Sequence, residues 1–158
     1  MSDIKIRKAT VDDINQLLVF EQALIKYERP FDPTIKPEPV HYYDLNFMLA
    51  ASHIHLVVAE LANEIIGSGY ARIDESRHFI KHTHFAYLGF MYVTPEHRGK
   101  GVNKLIMDSL KEWAASQGLA ELGLEVYYYN QSAIKAYEKF GFKKHMIEMR
   151  YNLRGADE

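Results

Sequence analysis

The chain has 158 residues, enough for one domain with a real core, and its apolar (47%) and charged (25%) fractions are those of an ordinary globule. A formal net charge of −2 gives no overall attraction to nucleic acid or to an acidic membrane, so any phosphate binding has to be local. With no cysteine, disulfides, zinc–cysteine sites and thiol nucleophiles are excluded, and the reducing cytoplasm is the default location.

The opening "MSDIKIRKATVDD" is charged from the start and does not read as a secretory signal, and no apolar run is long enough to cross a bilayer. Ile4 and Ile6 alternate with polar residues and predict a first strand. Thr10 can cap a helix with Asp12 and Asp13 in its first turn, and Ile14, Leu17, Leu18, Leu24 and Ile25 give that helix an apolar stripe. "YERPFDPTIKPEP" holds four of the five prolines and predicts an irregular crossover, followed by a short helix near "HYYDLNFMLA". "HLVVAELANEIIGSGYARI" predicts a hairpin turning near Ala62 and Asn63, and "THFAYLGFMYV" a further strand.

From Val102 the period changes. Val102, Leu105, Ile106, Leu110 and Trp113 keep helical spacing, and Gly118 stands where that helix should stop. "AELGLEVYY" predicts a buried strand, "NQSAIKAYEKFGF" a short helix with Asn130 at its cap, and "KKHMIEMRYNL" a final strand. The order is β-α-α-β-β-β-α-β-α-β over a single domain, residues 1–158. It predicts an α/β (α+β) protein with a central mixed sheet and helices on both faces.

"TPEHRGKGVNKL" (Thr94 to Leu105) joins a predicted strand to a predicted helix. A helix N-terminus offers unpaired backbone donors and about half a positive charge. Gly99 and Gly101 allow close backbone approach, and Arg98, Lys100 and Lys104 add basic groups, so the loop suits an anion. It is neither a P-loop, which needs G-x-x-x-x-G-K-[ST], nor a dinucleotide fingerprint, because Lys104 stands where the third glycine belongs.

"VTPEHRGKGVNKLIMDSL" followed by "LEVYYYNQSAIKAYEKFGF" resembles the GNAT family of acetyl-CoA-dependent N-acetyltransferases. The first segment is similar to that family's motif Q/R-x-x-G-x-G/A, with Glu96 standing where the family usually has Gln or Arg. The second is similar to its later motif, with Asn130, Ala133, Tyr137 and the Gly141–Phe142 pair in register. The resemblance implies acetyl-CoA as cosubstrate, its pyrophosphate held by the backbone of Arg98, Gly99, Lys100, Gly101, Val102 and Asn103. It implies a pantetheine arm lying along Met91, Tyr92 and Val93 and an Asn130 contact to the cofactor. It also implies that Tyr137 faces the thioester sulfur as proton donor. Glu125, twelve positions before Tyr137, is the candidate general base; ordered water and backbone carbonyls are the other route to a free amine.

The lack of cysteine rules out an acetyl-cysteine intermediate, so transfer in a ternary complex is expected. The resemblance implies that the acceptor is a primary amine of a small molecule or a peptide. Glu28, Asp32, Glu38 and Asp44, with Tyr27, Phe31, Tyr42 and Tyr43, would suit a cationic one. The runner-up function is a non-catalytic acyl-CoA-binding module. His53 with His55, and His82 with His84, are each expected to share a face, but neither pair has a third ligand of matching spacing, and no metal is expected. No nucleic-acid or membrane partner is expected, and the final strand could pair across a homodimer.

Overall fold

Two residues with left-handed backbone, Ala62 (φ +52°) and Asn63 (φ +68°), make the tight turn at the centre of the sheet. They join β2 (Ile54–Leu61) to β3 (Glu64–Glu75), where the sequence places the hairpin. β4 (His84–Val93) pairs antiparallel with β3, and β1 (Lys5–Lys8) pairs antiparallel with β2. β5 (Leu122–Gly123) lies parallel to β4, which closes a five-stranded mixed sheet in the order β1-β2-β3-β4-β5. These elements come from a computed structural model that describes residues 3–155.

The sheet is covered on both faces, as its alternating strands demand. Leu56 and Val58 point to α1 (Ile14–Glu28) and α2 (Leu45–Ala50), where they meet Leu17, Phe20, Leu45 and Met48. Val57 and Ala59 point the other way, to Val102, Ile106, Leu110 and Ala114 of α3 (Val102–Ser116). α3 sits close to β3 because β3 carries Gly67 and Gly69. A Cβ at Gly69 would come within 2.7 Å of Ile106 Cγ2 and 3.0 Å of Met91 Sδ. Leu105, expected on the apolar stripe, is exposed instead.

α1 begins after a short 3-10 turn, Val11–Asp13, whose last carboxylate accepts the Thr10 N–H at 2.8 Å. Leu17 and Ile25 are buried as expected, and so are Phe20 and Glu21, which the predicted stripe omits. Glu21 is fully buried and fully used. It accepts the backbone N–H groups of Tyr42 (2.6 Å) and Tyr43 (2.9 Å) and pairs with His41 Nδ1 at 2.8 Å. One buried carboxylate thus ties the proline-rich crossover to α1 and fixes two tyrosines beside the sheet.

The last two predicted strands need correction. Of "AELGLEVYY" only Leu122 and Gly123 pair, with Ala86 and Tyr87. "KKHMIEMRYNL" forms no strand: after α4 (Gln131–Phe140) the chain runs on exposed, with neither a ladder nor a helix. A strand needs a neighbouring edge to pair with. The segment instead leaves its own sheet, tethered through Arg150, whose Nη2 lies 3.0 Å from Asp32 Oδ2.

Candidate active site

The site begins with an irregularity in β4. Ser68 pairs with Tyr92 and Tyr70 with Gly89, so Phe90 and Met91 together face only Gly69. This is a β-bulge, and Phe90 takes a left-handed conformation (φ +54°) to form it. The bulge reverses which side chains face which layer. Ala86 and Leu88 pack toward α3, whereas Phe90 and Tyr92 pack toward α1 and α2. The buried Ser68 hydroxyl donates to the Phe90 carbonyl at 2.9 Å and holds the distortion in place.

Pairing between β4 and β5 stops at Tyr87 and Gly123, just before the bulge. Beyond that point the described residues show no further pairing between the end of β4, which includes Met91, Tyr92 and Val93, and the segment Leu124–Tyr127, and this unpaired stretch between two parallel chains is here called the wedge. The two arms of the wedge lead into the N-termini of α3 and α4. A crevice at the carboxyl ends of diverging parallel strands is a favoured ligand position in α/β sheets.

At the end of the first arm, Gly99 (φ +76°) and Gly101 (φ +83°) have backbones that other residues rarely adopt. Gly101 caps α3 without any side chain acting as cap. Among the described residues, the N–H groups of Gly101, Val102 and Asn103 find no acceptor in the protein. The Val102 side chain is buried, so only its backbone is on offer, and Lys100 is exposed nearby. Arg98 is committed elsewhere: its N–H points to Pro95 O (3.4 Å) and its Nε donates to Val93 O (2.9 Å). Lys104 pairs with Asp108 on its own helix at 2.8 Å. The loop can therefore hold an anion chiefly by its backbone dipoles.

At the end of the second arm, Asn130 caps α4 by accepting the Ala133 N–H at 3.3 Å. Tyr27 also donates to it, at 3.4 Å. Two turns further, the half-buried Tyr137 packs edge-on to Phe142, with ring centroids 5.9 Å apart. Its hydroxyl has no hydrogen-bond partner among the described residues. Burial, and then the charge of Glu28, push its phenol up to about 12.

Carboxylates and aromatic rings contact one another near the segment Leu124–Tyr127 and the crossover. Glu125 accepts from Tyr87 at 3.3 Å, and burial followed by the Glu125 charge raises the Tyr87 phenol. Tyr43 connects this end to Tyr70 (6.0 Å) and Phe90 (4.5 Å), and a cavity of about 200 Å³ opens beside Tyr42, Tyr43, Tyr70 and Arg72. At the other end, Glu28 accepts from Tyr42 at 2.9 Å, and burial lifts its carboxyl above the usual range. Asp32 lies next to it, held down at about 2 by Thr34 and then Arg150, and accepts from Tyr127 at 3.3 Å. Of the tyrosine triplet, Tyr127 stacks on Phe31 (6.0 Å), while Tyr128 and Tyr129 are exposed. Glu38 and Asp44, expected in the same acidic group, are exposed, and Asp44 caps α2.

The histidine pairs do not gather. His53 precedes β2 and packs near Phe47 of α2, while His55 stacks on Trp113 of α3, on the opposite face. His82 uses both ring nitrogens, on Ser76 (2.7 Å) and Glu121 (2.6 Å). Among the described residues no three metal-ligating side chains cluster, and no helix is long and apolar enough to cross a membrane.

Sequence reasoning singled out the glycine loop, Asn130, Tyr137 and Glu125 as candidates because motifs mark them, and the structure sets them around the unpaired end of β4. It missed Ser68 and Phe90, for which "GSG" beside a strand was the available signal, and Glu21, which lies inside an apolar helix stripe.

Comparison with known proteins matches this architecture. An N-alpha-acetyltransferase of Sulfolobus acidocaldarius is 27% identical over 97% of this chain and 88% of its own length. A streptothricin acetyltransferase of Streptomyces lavendulae is 42% identical over 50 residues, so that match spans 32% of this chain and 26% of that protein. The crystal structure of a predicted acetyltransferase with acetyl-CoA from Clostridium acetobutylicum superposes with a TM-score of 0.73 at 22% identity, covering 98% of this chain and 99% of that one. The acetyltransferase (GNAT) family profile matches residues 21–142, well over half the chain, and the protein belongs to that family.

Proposed function

We propose that the protein is an N-acetyltransferase that passes the acetyl group of acetyl-CoA directly to a primary amine, with both substrates bound in the wedge. The observation that carries this reading is the wedge itself. The Phe90 bulge opens it, the free N–H groups of α3 lie at the end of one arm, and the unpartnered Tyr137 hydroxyl lies on the helix that continues the other.

In this reading the backbone donors at Gly101, Val102 and Asn103 hold the pyrophosphate, with Gly99 and Lys100 shaping the loop. The backbone of Met91, Tyr92 and Val93 pairs with the pantetheine as an added strand would. A backbone N–H near the bulge meets the thioester carbonyl, whose oxygen gathers negative charge as the amine attacks. Tyr137 gives its proton to the departing sulfur. A phenol held at about 12 is protonated throughout the neutral range, whereas a thiol titrates near about 8.5. The amine must arrive as free base, although an alkylammonium has a pKa of about 10.4. Glu125, held by Tyr87, is the base candidate at one end of the cleft, and Glu28 supplies a second carboxylate at the other.

Glu28 and Asp32 among Tyr27, Phe31, Tyr42 and Tyr127 favour a cationic acceptor, attracted by charge and by ring faces. Near full-length similarity to an N-alpha-acetyltransferase makes peptide N-termini one class to try beside small polyamines and amino sugars. The test is to incubate the protein with acetyl-CoA and a panel of such amines and follow free thiol. Thiol released only in the presence of particular amines supports the enzyme and identifies the acceptor class. Tight coenzyme A binding with no release across the panel would instead make the protein an acyl-CoA-binding module.

A further inference from the structure

A serine, a histidine and a glutamate from three segments of the chain meet where the β3–β4 hairpin touches β5. Ser76 Oγ lies 2.7 Å from His82 Nδ1, and His82 Nε2 lies 2.6 Å from Glu121 Oε1. As a carboxylate Glu121 can only accept, so Nε2 carries the ring hydrogen and Nδ1 presents a lone pair. The Ser76 hydroxyl therefore donates to the ring. A nucleophile, a base and an orienting carboxylate in series is the arrangement that activates a serine. It is recognised by geometry, whatever the order of the three in the chain.

Backbone pairing holds the three groups in register. Ser76 N–H donates to Thr83 O at 2.8 Å, one step past the last β3–β4 pair, Glu75 with His84. Ala86 N–H donates to Glu121 O at 3.0 Å. These bonds already close the hairpin and seat Glu121, so neither task needs the side-chain relay. Ser76 and His82 are half-buried, and the serine hydroxyl has no other partner among the described residues. The N–H of Arg77, directly after the serine, finds no acceptor among the described residues. In hydrolases with a nucleophile elbow, the residue at that position donates its N–H to the oxyanion. Phe79 and Ile80, 67 and 41% exposed, add apolar surface in the same loop.

We infer that Ser76 and His82, positioned by Glu121, form a second catalytic site that hydrolyses small carboxylic esters with an apolar or aromatic part. Ser76 Oγ attacks the ester carbonyl while its proton passes to His82 Nδ1, and Glu121 offsets the charge of the imidazolium. The carbon–oxygen bond to the leaving alcohol breaks, and His82 hands that alcohol the proton. Water then attacks the acyl-serine, losing its proton to His82, which returns it to Ser76 Oγ as the carboxylic acid departs. The sum is ester plus water giving acid plus alcohol, and nothing is oxidised. The site lies across the β4–β5 pairing from the wedge: Glu121 precedes Leu122 and Gly123, and the wedge follows them. It uses no acetyl-CoA, so the inference stands apart from the reading of the wedge.

The test treats the full chain, without acetyl-CoA, with a fluorophosphonate and locates the label by mass spectrometry of the digest. The expected result is a phosphonate on Ser76, formed with loss of fluoride. The wild-type label decides the matter without any variant. p-Nitrophenyl acetate should be hydrolysed faster than in buffer alone, and Ser76→Ala or His82→Asn should lose about 10²-fold or more of that rate. Glu121→Gln keeps an oxygen for Nε2 but loses the charge. It should lower kcat for the ester with KM unchanged, a split that a merely structural contact would not give. A folded wild type with no label on Ser76, or with label on another residue only, would overturn the inference. So would ester hydrolysis that survives undiminished in folded Ser76→Ala.

Discussion

Ser68 holds Phe90 in its left-handed conformation: the buried hydroxyl donates to the Phe90 carbonyl at 2.9 Å, across the bulge that separates β4 from its neighbour. Ser68→Ala removes the donor and leaves that carbonyl without its partner. A stability loss of about 1–3 kcal/mol is expected in urea denaturation. A loss near zero would show that the bulge holds itself.

Gly101 stands at the start of α3 with φ +83° and empty space around the position a Cβ would take. Gly101→Ala therefore meets no clash and suffers only backbone strain, about 1–2 kcal/mol. Relief of that strain turns the N–H groups of Val102 and Asn103, so coenzyme A affinity should fall along with stability. Calorimetric titration checks this; full affinity in a destabilised variant would separate the loop from the pyrophosphate.

Tyr137→Phe keeps the edge contact to Phe142 and deletes only the hydroxyl, which no described residue engages. Turnover should drop by about 10²-fold or more, while coenzyme A binding stays within a small factor. Because the phenol sits at about 12, wild-type rate profiles should show no limb from it at neutral pH. An unchanged turnover number removes Tyr137 from the chemistry.

Glu28 carries a carboxyl raised by burial, so its folded pKa lies above its unfolded one. The sign follows. Below the unfolded pKa both states are protonated and nothing is lost, and stability declines as pH rises through the folded pKa. Glu28→Gln should thus melt like wild type near pH 4 and higher than wild type at pH 8, while its KM for a cationic acceptor rises several-fold. A variant that is less stable at pH 8 would reverse the assignment.

Much of this molecule can be read from residue order. The hairpin at Ala62–Asn63, α3 with its stop at Gly118, and the cap at Asn130 are local devices, each fixed by a few neighbouring residues. What escaped depends on distant partners. Glu21 reads as a polar break in the stripe of α1 until Tyr42 and Tyr43 bring their N–H groups to it. Phe90 reads as one more strand residue until its register against Gly69 is known. Ile147 to Leu153 alternate as a strand would, yet they form none, because no edge in the same chain receives them. Proposed site positions stand out in the sequence where motif and helix register coincide, as at Tyr137. Glu28 was legible only as one of several loop acids, and its burial came from the fold.

The most direct measurement is a crystal structure with coenzyme A bound. The diphosphate should lie against the N–H groups of Gly101, Val102 and Asn103, and the pantetheine should run between β4 and Leu124–Tyr127 with its sulfur beside the Tyr137 hydroxyl. A coenzyme bound outside the wedge, or a wedge that stays closed at saturating coenzyme, would contradict the account.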